Sequence, residues 1–187
     1  MQQEQLRLKR LRDAAIMLHG PEEVQRALDD MAVQIDAVLG DTLPVILCVL
    51  TGGIIPAGHI LTRLSFPLEI DYLHATRYQG NTSGGDEVHW LCQPRVALTG
   101  RTVLVIDDIL DEGHTLKTVL DYCRNAGAAD VYSAVLIDKR HDRRAGELAA
   151  DFTGLHVEDR YVFGFGMDYK GYMRNLNGIF TLPEDQD

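Results

Sequence analysis

Residues 103–116 read VLVIDDILDEGHTL. Four apolar residues, Val103–Ile106, predict a strand buried on both faces, as in a parallel sheet. That strand ends in Asp107 and Asp108, and Asp111-Glu112-Gly113-His114-Thr115 then opens a helix expected over His114–Asn125. Leu116, Val119, Leu120 and Cys123 fall on one face of it, and Gly127 closes it. In open parallel sheets ligands sit at the carboxyl ends of the strands, where these acids stand. A helix N-terminus offers unpaired N–H groups and a positive dipole end, which suits a phosphate. Gly113 lets the backbone come close and Thr115 adds a hydroxyl. Paired acids at a strand end can grip two ribose hydroxyls, directly or through Mg²⁺. Helix capping accounts for one acid but not for two more at the end of a buried strand. The segment therefore reads as a sugar-phosphate site.

Working outward, the same alternation recurs. Pro21-Glu22-Glu23 has the form of a helix start, and Val24, Ala27, Leu28, Met31, Ile35, Val38 and Leu39 follow at helical spacing up to Gly40. The residues before Gly20 are expected to form a short charged helix on the outside. Val45–Leu50 is a second buried strand, Thr51-Gly52-Gly53 a tight turn, and Ile55–Leu64 a helix. Leu68–Tyr78 and Val88–Cys92 read as strands around a polar, glycine-rich loop at 79–87, composed to move. Val131–Ile137 is a third buried strand, 141–146 a solvated polar loop, and Ile179–Leu182 a last short strand. Buried strands alternating with helices predict an α/β fold, a mostly parallel twisted sheet flanked by helices. At 187 residues the chain is expected to form a single domain.

Composition narrows the partners. The net charge of −10 argues against nucleic acid, which needs a basic face, but not against a small polyanion held by N–H groups, a few arginines and a metal. No apolar run is long enough to span a membrane, and the basic N-terminus has no apolar stretch after it, so neither a membrane nor a secretory signal is expected. Three widely spaced cysteines predict buried free thiols in a reduced, cytoplasmic compartment.

The order LTGG (50–53), ATRY (75–78), the acidic motif, LIDKR (136–140) and YVFGFGMDY (161–169) followed by Arg174 resembles the type I phosphoribosyltransferases. From Val45 to Leu176 it resembles their 6-oxopurine members. The resemblance implies a small hood on the sheet, with the core at about 40–140 and the hood built from about 1–20 and 140–187. It implies that Asp107 and Asp108 face the ribose hydroxyls and Mg²⁺, and that Asp111 is the general base or acid beside purine N7. Glu112, Gly113, His114 and Thr115 would hold the 5′-phosphate with those acids. Leu50, Thr51 and Gly52, in a loop that often holds a cis peptide in relatives, would take pyrophosphate together with Arg174. Lys139 would reach the purine O6, Tyr161 would stack on the base, and Val162 would pair with it through its main chain. Asp168 would lie at the purine and help hold a second Mg²⁺. Arg77 and Tyr78 would belong to the mobile loop that closes over the reacting centre.

The implied reaction joins hypoxanthine or guanine to phosphoribosyl pyrophosphate, giving IMP or GMP and pyrophosphate with Mg²⁺, in a homodimer or homotetramer. An ammonium at Lys139 can donate to an exocyclic oxygen but not to an amino group, which disfavours adenine. Three alternatives stand beside it: a xanthine-preferring enzyme, a pyrimidine or adenine transferase, and a non-catalytic regulator of the same fold. Two departures from relatives are visible. Thr51 replaces a Lys or Arg, and Asp107 stands where some relatives carry Glu. His59, His74 and His89 show no metal-ligand spacing and read as structural or surface residues. His141, Arg143 and Arg144 read as part of the solvated loop.

Overall fold

The computed structural model describes residues 2–77, 88–144 and 148–183. The elements in chain order are α1 (Gln2–Ala14), β1 (Ile16–His19), α2 (Pro21–Leu39), β2 (Val45–Leu50), α3 (Ile54–Leu61), β3 (Glu69–Arg77) and β4 (Val88–Cys92). They continue with β5 (Thr102–Leu110), α4 (His114–Asn125), β6 (Asp130–Arg140), β7 (Phe152–Glu158), β8 (Val162–Phe163) and β9 (Ile179–Thr181). The main sheet has the order β4-β3-β2-β5-β6-β7. All its pairs are parallel except β3 with β4, which run antiparallel.

The continuous apolar runs follow from helices on both faces. Ile46, Cys48, Leu104 and Ile106 face α2 and α3, where they meet Leu28, Met31, Ile35 and Ile60. Their sequence neighbours Val45, Leu47, Val103 and Val105 point the other way, onto Leu116, Val119, Leu120 and Cys123 of α4. Alternate residues of one strand thus enter two different cores, and none can be polar without loss. Each fully buried Leu or Ile contributes about 1.5–3 kcal/mol relative to exposure.

Strand order also positions the site. From β2 the chain moves outward to β3 and β4, then returns to β5 and proceeds the other way through β6 to β7. The crevice between the carboxyl ends of β2 and β5 is therefore the switch point of the sheet, where no connection crosses over and a ligand can enter.

Several boundaries differ from expectation. β5 does not stop at Ile106. Asp107 pairs with Val135, and the ladder runs on to Leu110 opposite Asp138. The two acids are held within a central strand, which the apolar run alone could not reveal. α3 ends at Leu61, with Thr62 as its C-cap bonding back to His59 and Gly58. β1, β7 and β8 were not expected. β7 carries Gly154 at its middle, and its exposed edge has no clean alternation. β1 and β8 are short and find their partner in β9, forming a three-stranded antiparallel sheet. α1 buries no residue, yet Leu8 and Leu11 rest on the Phe163, Tyr169 and Leu182 cluster beside that small sheet. Among the described residues no helix is long and apolar enough to cross a membrane.

Candidate active site

A cleft of about 350 Å³ opens at the switch point. Leu50, Thr51 and Gly52 form one wall, the segment from Asp107 to Leu116 forms another, and Asp168 and Arg174 close the third side. The Leu50–Thr51 peptide is cis. Gly113 caps α4 in the left-handed region, with φ of 89°, and brings no side-chain cap of its own. A helix N-terminus of this kind is suited to an anion.

Asp107 and Asp108 are each 8% exposed and adjacent in sequence. Burial is the main influence on both and pushes both carboxyls up; for Asp107 the charge of Asp108 adds to it, while the backbone N–H of Asp108 donates to Asp107 Oδ1 at 2.9 Å. Arg174 opposes this from 3.9 Å, measured to Asp108 Oδ2. The same arginine donates to Gly166 O at 2.6 Å and pairs with Asp168 Oδ1 at 2.7 Å. It therefore bridges the acids of β5 and the acid after β8. Cys48 lies below the pair, and burial, then the two carboxyls, push its thiol up to about 12, so it is inert.

Asp111 has a different setting. Lys139 Nζ donates to its Oδ2 at 2.7 Å, and His141 Nε2 lies 2.6 Å from its Oδ1. Burial pushes the Asp111 carboxyl up, but Lys139 first and then His141 outweigh burial and hold it below the usual carboxylate range. A smaller cavity of about 190 Å³ adjoins the cleft and is lined by Lys139, Tyr161, Val162 and Met167, together with Asp108, Ile109, Asp111 and Asp168, which it shares with the cleft. The Tyr161 hydroxyl donates to Asp168 O at 3.0 Å. Thr181 holds the Tyr161 carbonyl at 2.9 Å.

The segment after β8 reaches the cleft because Gly166 adopts a φ of 113° and lies against the carbonyl of Gly52. A Cβ at Gly166 would overlap that carbonyl oxygen. Gly166→Ala is expected to lose about 2–4 kcal/mol of stability, from left-handed strain and overpacking together. Urea unfolding of both proteins measures the difference, and an unchanged midpoint would show that the contact yields freely.

The expected residues fall into place as follows. Asp107, Asp108, Asp111, Glu112, Gly113, His114, Thr115, Leu50, Thr51, Gly52, Asp168 and Arg174 line one cleft, and Lys139, Tyr161 and Val162 line the adjoining cavity. Arg77 is the last residue of β3, while Tyr78 lies outside the described residues. One histidine was misread, and a second has a place that the sequence did not point to. His74 lies on the cleft wall beside Leu50, its register partner. His141 is not in a solvated loop, since its side chain is 3% exposed and bound to Asp111. The following turn is pinned as well. Arg144 donates to the Asp138 carboxylate and to Lys139 O at 2.8 Å, and Arg143 makes a two-pronged pair with Asp159. Alternation along β6 was the available signal. His141 follows Lys139 by two residues and shares its side of the strand.

A family model described as phosphoribosyl transferase domain matches residues 17–170. The chain is 31% identical over 172 residues to a hypoxanthine-guanine-xanthine phosphoribosyltransferase of Tritrichomonas foetus, covering 92% of this chain and 93% of the relative. It is 30% identical to a hypoxanthine-guanine phosphoribosyltransferase of Bacillus subtilis, covering 91% and 94%. The crystal structure of a Staphylococcus aureus hypoxanthine phosphoribosyltransferase superposes with a TM-score of 0.87 at 26% identity, covering 94% of this chain and 95% of that one.

Proposed function

The chain belongs to the phosphoribosyltransferase family, and on that premise we propose that it transfers the ribose phosphate of phosphoribosyl pyrophosphate to hypoxanthine or guanine, releasing IMP or GMP and pyrophosphate. The observation that carries the choice of base is the meeting of Lys139 and Asp111 at the cavity beside Tyr161. An ammonium and a carboxylate side by side match the exocyclic oxygen and the acidic N–H of a 6-oxopurine. Adenine would set its amino group against the ammonium, leaving two donors facing each other.

The 5′-phosphate is assigned to the N-terminus of α4, at Glu112, Gly113, His114 and Thr115, and the ribose hydroxyls to Asp107 and Asp108. Pyrophosphate is assigned to the Leu50-Thr51-Gly52 loop and Arg174. As the bond from C1 of the ribose to pyrophosphate breaks, a purine nitrogen forms the new bond to C1, and Asp111 takes the proton the purine loses. Lys139 exchanges Asp111 for the purine oxygen. Tyr161 stacks on the ring, and the Val162 main chain pairs with its edge.

The acids suit Mg²⁺. Two adjacent carboxyls that burial pushes up form a site short of positive charge. Among the described residues no three His, Cys, Asp or Glu side chains form a preformed cage; a cation bound together with the substrate would take much of its coordination from phosphate oxygens and water. Asp107 and Asp108 would face one such cation and Asp168 would help hold a second, and these would neutralise charge developing on the leaving pyrophosphate.

A screen of radiolabelled bases with phosphoribosyl pyrophosphate and Mg²⁺ tests the reading. Nucleotide is expected from hypoxanthine and guanine, with adenine on the order of 10²-fold slower or worse. The xanthine-using relative favours a second ordering, and dominant turnover of xanthine would establish it. Binding of phosphoribosyl pyrophosphate without nucleotide from any base would instead mark a non-catalytic regulator.

A further inference from the structure

Resting on that reading, we propose that His141 is a positioning residue, which fixes Asp111 through a neutral hydrogen bond and leaves Oδ2 as the oxygen that receives the purine proton. The ring has defined partners on both nitrogens. The backbone N–H of Arg143 donates to Nδ1 at 3.0 Å. An Nδ1 that accepts cannot carry the proton, so Nε2 does, and Nε2 donates to Asp111 Oδ1 at 2.6 Å. The ring's side chain is 3% exposed, whereas the Asp111 side chain is 41% exposed on the loop between β5 and α4. A half-exposed carboxylate on a loop rotates freely unless something holds it.

Lys139 Nζ donates to Oδ2 at 2.7 Å. A 6-oxopurine competes for that same ammonium. When Lys139 turns to the base, Oδ2 is released as a proton acceptor, and His141 still grips Oδ1. A neutral donor suits this task better than a second cation, which would depress the basicity of Asp111 further. The charged groups around the contact are Lys139 on β6, Arg143 on the turn, Asp159 after β7, which feels both Lys139 and His141, and Glu112, 4.0 Å from Arg143. The turn cannot drift away, because Arg144 ties it to Asp138 and Arg143 ties it to Asp159.

His141→Leu removes the donor and His141→Gln restores an N–H at similar reach. In wild-type protein, long-range ¹H–¹⁵N spectra should show the His141 proton on Nε2. His141→Leu should lower kcat about 10-fold, with KM for base and phosphoribosyl pyrophosphate within about twofold. The acid limb of its pH profile should move up by about one pH unit, because a carboxylate that loses a donor is protonated more readily. His141→Gln should recover most of both. A wild-type kcat and acid limb in His141→Leu, a ring protonated on Nδ1, or a Gln variant no better than Leu would each overturn the proposal. If the Leu variant does not fold, the tautomer and the Gln variant decide between these outcomes. If wild-type protein makes no nucleotide, the transferase reading fails by itself. The ¹³C carboxyl titration of Asp111 then still tests the contact: an upward shift in the variant supports it, and an unmoved value sinks it.

Discussion

Asp111→Asn should lower kcat by about 10²-fold or more while leaving KM for both substrates close to the wild-type values. The amide keeps the shape of the side chain and can still accept from one donor, but it cannot take a proton from the purine. Its NH₂ would face either Lys139 or His141, both of which are donors, so one of the two bonds at 2.7 and 2.6 Å must break. Stability should change little, because the carboxyl is half-exposed and its ion pair with Lys139 is partly screened. The sign is nonetheless defined. Lys139 and His141 hold the folded carboxyl below its ordinary range against the upward push of burial. The stabilisation is therefore present above the ordinary carboxylate value and is lost as pH falls through the lower folded value. The variant should lack that acid-side loss. Steady-state kinetics on hypoxanthine or guanine decide the role of Asp111, and wild-type turnover in the variant would remove it from the chemistry.

Asp107→Asn should act in the opposite direction on stability and just as severely on function. This carboxyl is buried beside Asp108, and burial first, then the neighbouring charge, push it well above the usual range. Between the ordinary value and the raised one, the folded state binds more protons than the unfolded chain, so stability falls as pH rises through that window. An amide carries no such penalty. The variant should gain about 1–3 kcal/mol at neutral pH, and the gain should shrink toward zero in acid, below the ordinary carboxylate range. Its activity should fall on the order of 10²-fold, because a site built to balance a cation has lost one charge. The wild type, but not the variant, should be strongly stabilised by Mg²⁺ with phosphoribosyl pyrophosphate. Urea melts at pH 4 and pH 7.5, with and without those ligands, give all three quantities. A variant less stable than wild type at pH 7.5 would contradict the assignment of strain to the acid pair.

The central strands and α4 were legible because burial on both faces leaves an apolar signature that little else produces. Val45–Leu50 and the start of β5 are of this kind. β7 was not legible, since an edge strand with Gly154 at its middle keeps neither alternation nor an apolar run. β1 and β8 are too short to show a pattern and are defined by pairing with β9, which for β1 joins residues more than a hundred positions apart. In the site, the acids of residues 107–115 could be read as a group because strand, loop and helix start are local. His141 could not, since its burial depends on a turn pinned by Asp138 and Asp159. An exposed-looking HDRR string hides such a turn completely. Lys139 is a parallel case: nothing in its immediate sequence signals burial, yet it is 8% exposed.

The continuation of β5 through its acids has a consequence for how such a site can change. Leu110 lies opposite Asp138 in the parallel ladder, so Asp111 and Lys139 emerge from neighbouring strands one step later, at the same height. Their separation is set by backbone hydrogen bonds and not by loop length. The seat proposed for ribose and 5′-phosphate, by contrast, lies on β5 and α4, away from β6. A lineage can therefore exchange the residues after β6 to suit a new aromatic partner while inheriting the donor substrate's seat intact, and the sheet guarantees that whatever is placed at position 139 arrives within reach of the acid.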